Sequence, residues 1–383
     1  MGTLTSWQRL LTEEARDLLA QIESHPDLGV PAVVERLRRD FSEWSVAEAI
    51  ELITARRRAV RKFPLHKDLL CDLQGVEQAT SQRVAEWKAQ RFQGHGVLDL
   101  CSGIGGDAMA LSQRGEVVGV DESEIRCLMC GHNAGIEMRA EDVCDTAIDM
   151  PYVHIDPARR VESTRRRSWR LEDLRPSLES ISTVLEQTEG AAIKLGPGIP
   201  RDFELPGHQT TTEFIAEAGT LVQSVVWSGA LAHSSFSRRA TDVSMQCSLE
   251  GEPAPAPVRE GFGTVLLVPH PAIERAELIC EAVGEVDAGE LAPGLGILGS
   301  DEYISNGWFD HFEIEEIFPP RESRIKAWLR KRGAGRVIVR TRDQAVDADR
   351  WTRMFQGKGD KEIILFGLRL GRKVVVIATR RGV

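Results

Sequence analysis

Over residues 1–92 apolar side chains recur at helical spacing. Trp7, Leu10, Leu11, Leu18 and Ile22 mark the first stretch, and Ala49, Ile50, Ile53 and Ala55 a later one. Ser45 and Glu48 stand three apart ahead of that later stretch, the spacing of a capping box. It ends in Arg56, Arg57, Arg58, Arg61 and Lys62, which suits either a helix C-terminus or a phosphate-facing patch. At about residue 95 the pattern changes. Short apolar runs at Val97–Cys101, Val117–Val120, Val153–Ile155 and Ala191–Leu195 predict strands, each followed by turn residues and an amphipathic segment. That alternation predicts an α/β fold, a parallel sheet with helices on both faces. Pro-rich residues 250–263 predict a loop, with a helix near Ala272–Val283 and Gly-rich irregular sequence to about residue 308. The tail predicts a separate small α/β module. Its elements are a strand at Phe312–Ile317, a helix at Arg321–Arg332 and strands at Arg336–Arg340, Glu362–Leu368 and Lys373–Ala378. The expected divisions are a helical region 1–92, an α/β core 93–250, a connector 251–309 and a C-terminal module 310–383.

A length of 383 residues fits two or three domains. No apolar run approaches the roughly 20 residues of a membrane helix, so no membrane partner is expected. Arg9, Glu13 and Glu14 interrupt the stretch where a signal peptide would be apolar. Seven cysteines, sparse and odd in number, argue for a reducing cytoplasm rather than a disulfide framework. The net charge of −10 hides an asymmetry: residues 321–383 hold eighteen Lys and Arg against six Asp and Glu. A basic tail on an acidic body points to nucleic acid, with a solvated mixed-charge surface as the alternative.

The densest chemistry lies in Val97-Leu-Asp-Leu-Cys-Ser-Gly-Ile-Gly-Gly-Asp-Ala108, a strand running into a glycine-rich turn that opens a helix. Gly103, Gly105 and Ala108 formally satisfy a dinucleotide fingerprint. Asp99 argues against it. A carboxylate at the strand end repels a pyrophosphate but suits the ammonium and sulfonium charges of S-adenosylmethionine. Asp121 ends the second strand, where an acid accepts from ribose hydroxyls whichever nucleoside is bound. Asp142 stands where it either accepts from an adenine amino group or caps a helix. Asp156, Pro157 and Arg159 follow the fourth strand, at the carboxyl end where open α/β sheets bind ligands. There an acid orients an acceptor or takes its proton, and an arginine forks onto phosphate. Residues 159–170 hold six arginines and one acid, and Arg160, Arg165 and Arg166 are expected to touch an acidic substrate such as RNA.

On these residues the sequence resembles the class I S-adenosylmethionine-dependent methyltransferases. Asp99-Leu-Cys-Ser-Gly-Ile-Gly-Gly-Asp107 looks like their motif I, in the variant with a small residue or Cys before the first glycine. His132-Asn-Ala-Gly-Ile136 is similar to the helix after their second strand. Asp156-Pro-Ala-Arg159 and Lys194-Leu-Gly-Pro-Gly198, with Glu77-Gln-Ala-Thr-Ser81, resemble a bacterial group with an N-terminal helical region and a C-terminal THUMP-like domain. The resemblance implies a Rossmann-like core. It implies cofactor binding through Asp99, Cys101, Gly103, Gly105, Gly106, Asp121, Glu122 and Asp142, and Asp156, Pro157 and Arg159 near the transferred methyl. Arg160, Arg165, Arg166, Lys194 and the tail would then face RNA. Motif IV departs from the Asp/Asn-Pro-Pro-aromatic pattern of exocyclic-amine enzymes, and no Cys follows the fifth strand as in the 5-methyluridine enzymes. The alternatives are a protein or small-molecule acceptor, an idle cofactor-binding protein, and an NAD-linked oxidoreductase. No metal is expected. Cys127 and Cys130 have knuckle spacing but no second pair. Trp227 and Trp308 are expected in the core.

Overall fold

The computed structural model describes residues 2–42, 44–159, 171–233 and 235–382. They form two compact units, Met1–Ala218 with Val222–Ser234 and Val243–Gln246, and Gly219–Leu221 with Ser235–Asp242 and Cys247–Val383.

The first unit opens with helices α1 (Leu4–Arg9), α2 (Arg16–Ser24), α3 (Pro31–Asp40), α4 (Val46–Ala59), α5 (Leu73–Gln78) and α6 (Gln82–Ala89). Ser45 precedes α4, but the expected capping box is not formed. Its hydroxyl donates to the Glu48 carboxylate, and no backbone N–H is capped by the side chain. The basic cluster at the end of α4 serves neighbouring backbone. Arg56 donates to Leu69 O, Arg57 to Glu23 O and His25 O, and Lys62 to the carbonyls of Val76, Glu77 and Ala79. These helices share one apolar cluster with Ile104, Met109 and Met129, so they pack on the sheet layer rather than forming a separate body.

The sheet of this unit has strands β1 (Val97–Leu100), β2 (Val117–Asp121), β3 (Glu137–Ala140), β4 (Tyr152–Ile155), β5 (Gly190–Leu195), β6 (Thr210–Glu217) and β7 (Thr220–Gly229). Their order is β3-β2-β1-β4-β5-β7-β6. Strands β1 to β5 pair in parallel and β7 runs antiparallel to β5. β6 and β7 form a hairpin whose turn, Ala218-Gly219, has both φ positive. The sequence signal had missed this pair. Helices α7 (Ala108–Leu111), α8 (Glu124–Ala134) and α9 (Leu178–Leu185) connect the strands. After β1 the chain winds outward to β3 and returns to β4, so the order reverses between β1 and β4. Ligands bind at the carboxyl ends of strands at such a switch point. Trp227, on β7, is buried in the core.

The second unit has strands β8 (Arg238–Asp242), β9 (Cys247–Gly251), β10 (Val265–Pro269), β11 (Ala288–Glu290), β12 (Leu298–Ser300), β13 (Phe309–Phe318), β14 (Ala334–Thr341), β15 (Lys361–Leu370) and β16 (Lys373–Arg381). β8 and β9 pair antiparallel, and the others form a seven-stranded sheet ordered β11-β12-β10-β13-β16-β15-β14. Only β14 and β15 run parallel in that sheet. Helices α10 (Pro271–Ala276), α11 (Ile279–Val283), α12 (Glu322–Arg332) and α13 (Ala348–Phe355) complete it. Residues 265–300, expected within a connector, thus supply three strands of the C-terminal sheet. Their short runs of three to five residues carry little periodicity. Trp308 is buried with its ring edge against His270.

Candidate active site

The turn after β1 is built for close approach to its backbone. Cys101 takes a left-handed φ of 60°, uncommon for a non-glycine residue, and Gly103 (58°) and Gly105 (87°) follow it. A Cβ on Gly103 would meet nothing within 4 Å, so this glycine faces open space. Gly105 and Gly106 face protein. A Cβ at Gly105 would lie 3.1 Å from Cys130 Sγ, and one at Gly106 3.1 Å from Ala79 Cβ and 3.2 Å from the Thr80 backbone. Of the three glycines, one is turned outward and two let helix and loop backbones close in.

Asp99 is 1% exposed. Parallel register places it beside His154 of β4, and its Oδ1 lies 2.7 Å from His154 Nδ1. Its Oδ2 is buried without a hydrogen-bond partner among the described residues. The other ring nitrogen, His154 Nε2, is 3.2 Å from Lys88 Nζ. Lys88 lies 2.6 Å from Asp107, whose second oxygen accepts from the Thr80 hydroxyl at 2.6 Å. Burial would raise Asp107, but the Lys88 ammonium holds it well below the usual carboxylate range. Burial lowers the Lys88 ammonium against the pull of Asp107.

Asp121 ends β2 with each oxygen taking one backbone N–H, Oδ2 from Gly103 and Oδ1 from Ser123, both at 3.0 Å. Burial raises it, and the two N–H groups oppose that. Each oxygen keeps a further lone pair. Glu122 beside it is exposed. Asp142 is exposed and accepts the Cys144 N–H at 2.8 Å, the geometry of an Asx turn rather than a helix cap.

At the carboxyl end of β4, Asp156 lies 2.5 Å from Lys194 of β5. Lys194 also donates to Gln78 O at 3.4 Å. Burial alone would lower the Lys194 ammonium, but Asp156, then Asp107, hold it above its ordinary value. Lys194 is thus committed to Asp156. Pro157 is buried and Arg159 enters a two-residue ladder with Leu174. Arg160, Arg165 and Arg166 lie outside the described residues.

Asp99, Gly103, Asp121 and Asp156 therefore gather at the ends of β1, β2 and β4, around the switch point. The Cys101 thiol, raised by burial beyond its usual range, remains protonated. The Cys127 thiol lies within reach of two carbonyls, Asp121 O at 3.3 Å and Arg139 O at 3.5 Å, and Cys130 is buried. No cluster of three His, Cys, Asp or Glu able to hold a metal occurs among the described residues.

Lys88, Thr80, Asp107 and His154 were not singled out from sequence. Two signals were there. Lys88 falls on the apolar stripe Val84, Ala85, Ala89, Phe92, where a lysine needs a buried partner. His154 stands two residues before Asp156, on a strand otherwise apolar. Asn133, within the His132–Ile136 segment that carries the resemblance, has a bracing part here. Its amide accepts from Leu70 N and donates to Leu70 O and Ile104 O, stapling α8 to the segment ahead of α5.

Known proteins resemble this chain in sequence and in fold. Residues 310–381 match the model of the THUMP domain-like family. A Mycobacterium tuberculosis protein (strain H37Rv) named as an S-adenosylmethionine-dependent methyltransferase is 30% identical over 356 residues, covering 87% of this chain and 94% of the relative. A second M. tuberculosis relative, from strain CDC 1551, has the same name and the same figures. A crystal structure from Porphyromonas gingivalis W83, described as a methyltransferase, shares the fold. Its TM-score is 0.73 at 16% identity, over 95% of this chain and 94% of that one. The chain belongs to the S-adenosylmethionine-dependent methyltransferases.

Proposed function

We propose that this enzyme methylates an RNA base, with S-adenosylmethionine held at the β1–β4 switch point and the acceptor at Asp156. The observation that carries the cofactor reading is the orphaned Asp99 Oδ2, buried beside a glycine turn open at Gly103. A buried carboxylate oxygen without a donor is costly, and an ammonium group supplies one. Asp121, with a lone pair left on each oxygen, suits ribose hydroxyls, and Glu122 and Asp142 are both exposed and free to take part. A pyrophosphate would meet Asp99, so NAD fits poorly. When bound, the cofactor supplies a methyl group on a positively charged sulfur.

Asp156 is the acceptor-side acid. Lys194 fixes its orientation, and Gln78 O fixes Lys194. In this role Asp156 accepts a hydrogen bond or a proton from the methylated group. Pro157 holds the turn rigid, and Arg159 with Arg160, Arg165 and Arg166 supplies positive charge for a phosphate backbone. RNA is favoured over a protein or small-molecule acceptor by the basic tail, which coincides with the THUMP domain-like match. Seven unpaired cysteines fit a reducing, cytoplasmic setting.

Calorimetry with S-adenosylmethionine and with NAD tests the cofactor, and binding of NAD alone ends this reading. Mass spectrometry of RNA nucleosides from cells with and without the protein tests the acceptor. Loss of one methylated nucleoside is expected, and an unchanged profile moves the acceptor out of RNA.

A further inference from the structure

We propose that His154, backed by Lys88, is a positioning residue that fixes Asp99 with one oxygen turned to the cofactor's ammonium group. This rests on the cofactor reading above.

With Lys88 an ammonium held by Asp107, the hydrogen-bond directions allow one reading. Thr80 donates its hydroxyl to Asp107, and Lys88 donates to the other Asp107 oxygen at 2.6 Å. An ammonium has no acceptor lone pair, so toward His154 Nε2, 3.2 Å away, it can only donate. His154 Nε2 is therefore the unprotonated nitrogen. Nδ1 carries the proton and donates it to Asp99 Oδ1 at 2.7 Å. Lys88 thereby fixes both the tautomer and the ring plane. With Oδ1 committed, the carboxylate cannot rotate without losing its one donor among the described residues, and Oδ2 is left buried and without one.

Charge leads to the same place. The buried chain carries two carboxylates, Asp99 and Asp107, against one ammonium, Lys88, with the imidazole neutral. All four are at most 8% exposed. A group this deep does not leave a net negative charge unmatched without cost. The Asp156–Lys194 pair nearby is already balanced. The cation this network lacks matches the cofactor's ammonium group. Lys88 sits on α6 and Thr80 just ahead of it, so the N-terminal helices are part of the cofactor site.

The test compares two ligands of the full chain by calorimetry. Adenosylhomocysteine carries the ammonium, and 5′-methylthioadenosine lacks it. His154→Leu removes the donor to Asp99. Its expected effect is an affinity loss of about tenfold or more for adenosylhomocysteine and less than about twofold for methylthioadenosine. Equal losses for both would mean a merely structural role and overturn the positioning claim alone. If the wild-type chain binds neither ligand, the cofactor reading itself fails. Should the Leu variant not fold, His154→Asn and His154→Gln carry the test. Asn sets its amide N–H near the Nδ1 place and is expected within about threefold of wild type for both ligands. Gln sets its N–H near the Nε2 place and is expected to lose adenosylhomocysteine selectively. Identical behaviour of the Asn and Gln variants overturns the proposal.

Discussion

At the residue scale the site depends on paired charges that could not work singly. Asp156 is about one-third exposed at its side chain while Lys194 is 12% exposed, so the pair has a wet end and a dry end. The wet end is where an acceptor can arrive. Asp156→Asn keeps the shape and removes the charge. Its expected effect is a fall in methyl transfer of about 10²–10⁴, the range for losing an acid/base group, with S-adenosylmethionine affinity within about threefold. Lys194→Met leaves the acid present but unheld, and a smaller loss of about 10–100-fold is expected from misorientation. Turnover with labelled cofactor checks both, and full activity of the Asn variant removes Asp156 from the catalytic set. Because Lys194 is held above its ordinary value, its own deprotonation should not shape the rate near neutral pH.

At the scale of elements, the end of α5 and the residues that lead from it to α6 decide whether the acids meet their partners. Lys62 clamps it by donating to three carbonyls at 2.6–2.9 Å. Burial, then the nearby Lys194, lowers Lys62 from 10.5 to about 8. Below pH 8 both folded and unfolded chains hold this proton, and the cost of burying the charge is fully present. Between about 8 and 10.5 the folded chain has released the proton and the unfolded chain has not, so stability from this group rises with pH. Urea unfolding at pH 7.5 and pH 10 should therefore favour wild type over Lys62→Met more strongly at the higher pH. A pH-independent difference would refute the clamp's burial.

The sequence made β1, β2, β4 and β5 legible because each is a short apolar run bounded by turn residues. It also exposed Asp99, Gly103, Asp121 and Asp156, since an acid or glycine at a strand end is unlike core. The β6–β7 hairpin was hidden because its turn is Ala218-Gly219, without the usual Asn or Asp. β10 to β12 were hidden by their brevity, and α13 by its polar face. Lys88 and His154 were hidden for another reason. Pairing across 66 residues is a tertiary fact, and the sequence shows only an odd lysine on an apolar stripe.

At the scale of the whole molecule, charge is sorted along the chain. Residues 321–383 carry a net +12 and residues 1–320 a net −22. Part of the tail's charge is spent internally. Arg332 pairs with Glu315, Arg336 with Glu362, Arg350 with Glu322 and Arg380 with Glu313. At and on α12 that leaves Arg321, Arg324, Lys326, Arg330 and Lys331 exposed and without an acidic ion-pair partner among the described residues. Exposed cations without partners are the ones that displace counterions from a phosphate chain. For single-stranded RNA the slope of log affinity against log salt is about −0.7 per phosphate neutralised. Lys326 and Arg330 stand one helical turn apart on α12. If both touch phosphate, the Lys326→Ala, Arg330→Ala double variant should weaken RNA binding and make the slope shallower by about 1.4. The control is Arg336→Ala, whose cation already faces Glu362 and should leave the slope nearly unchanged. Filter binding of the full chain to one unstructured RNA between 50 and 300 mM salt reads both numbers. A double variant with the wild-type slope would show that α12 does not face RNA, whatever the net charge of the tail.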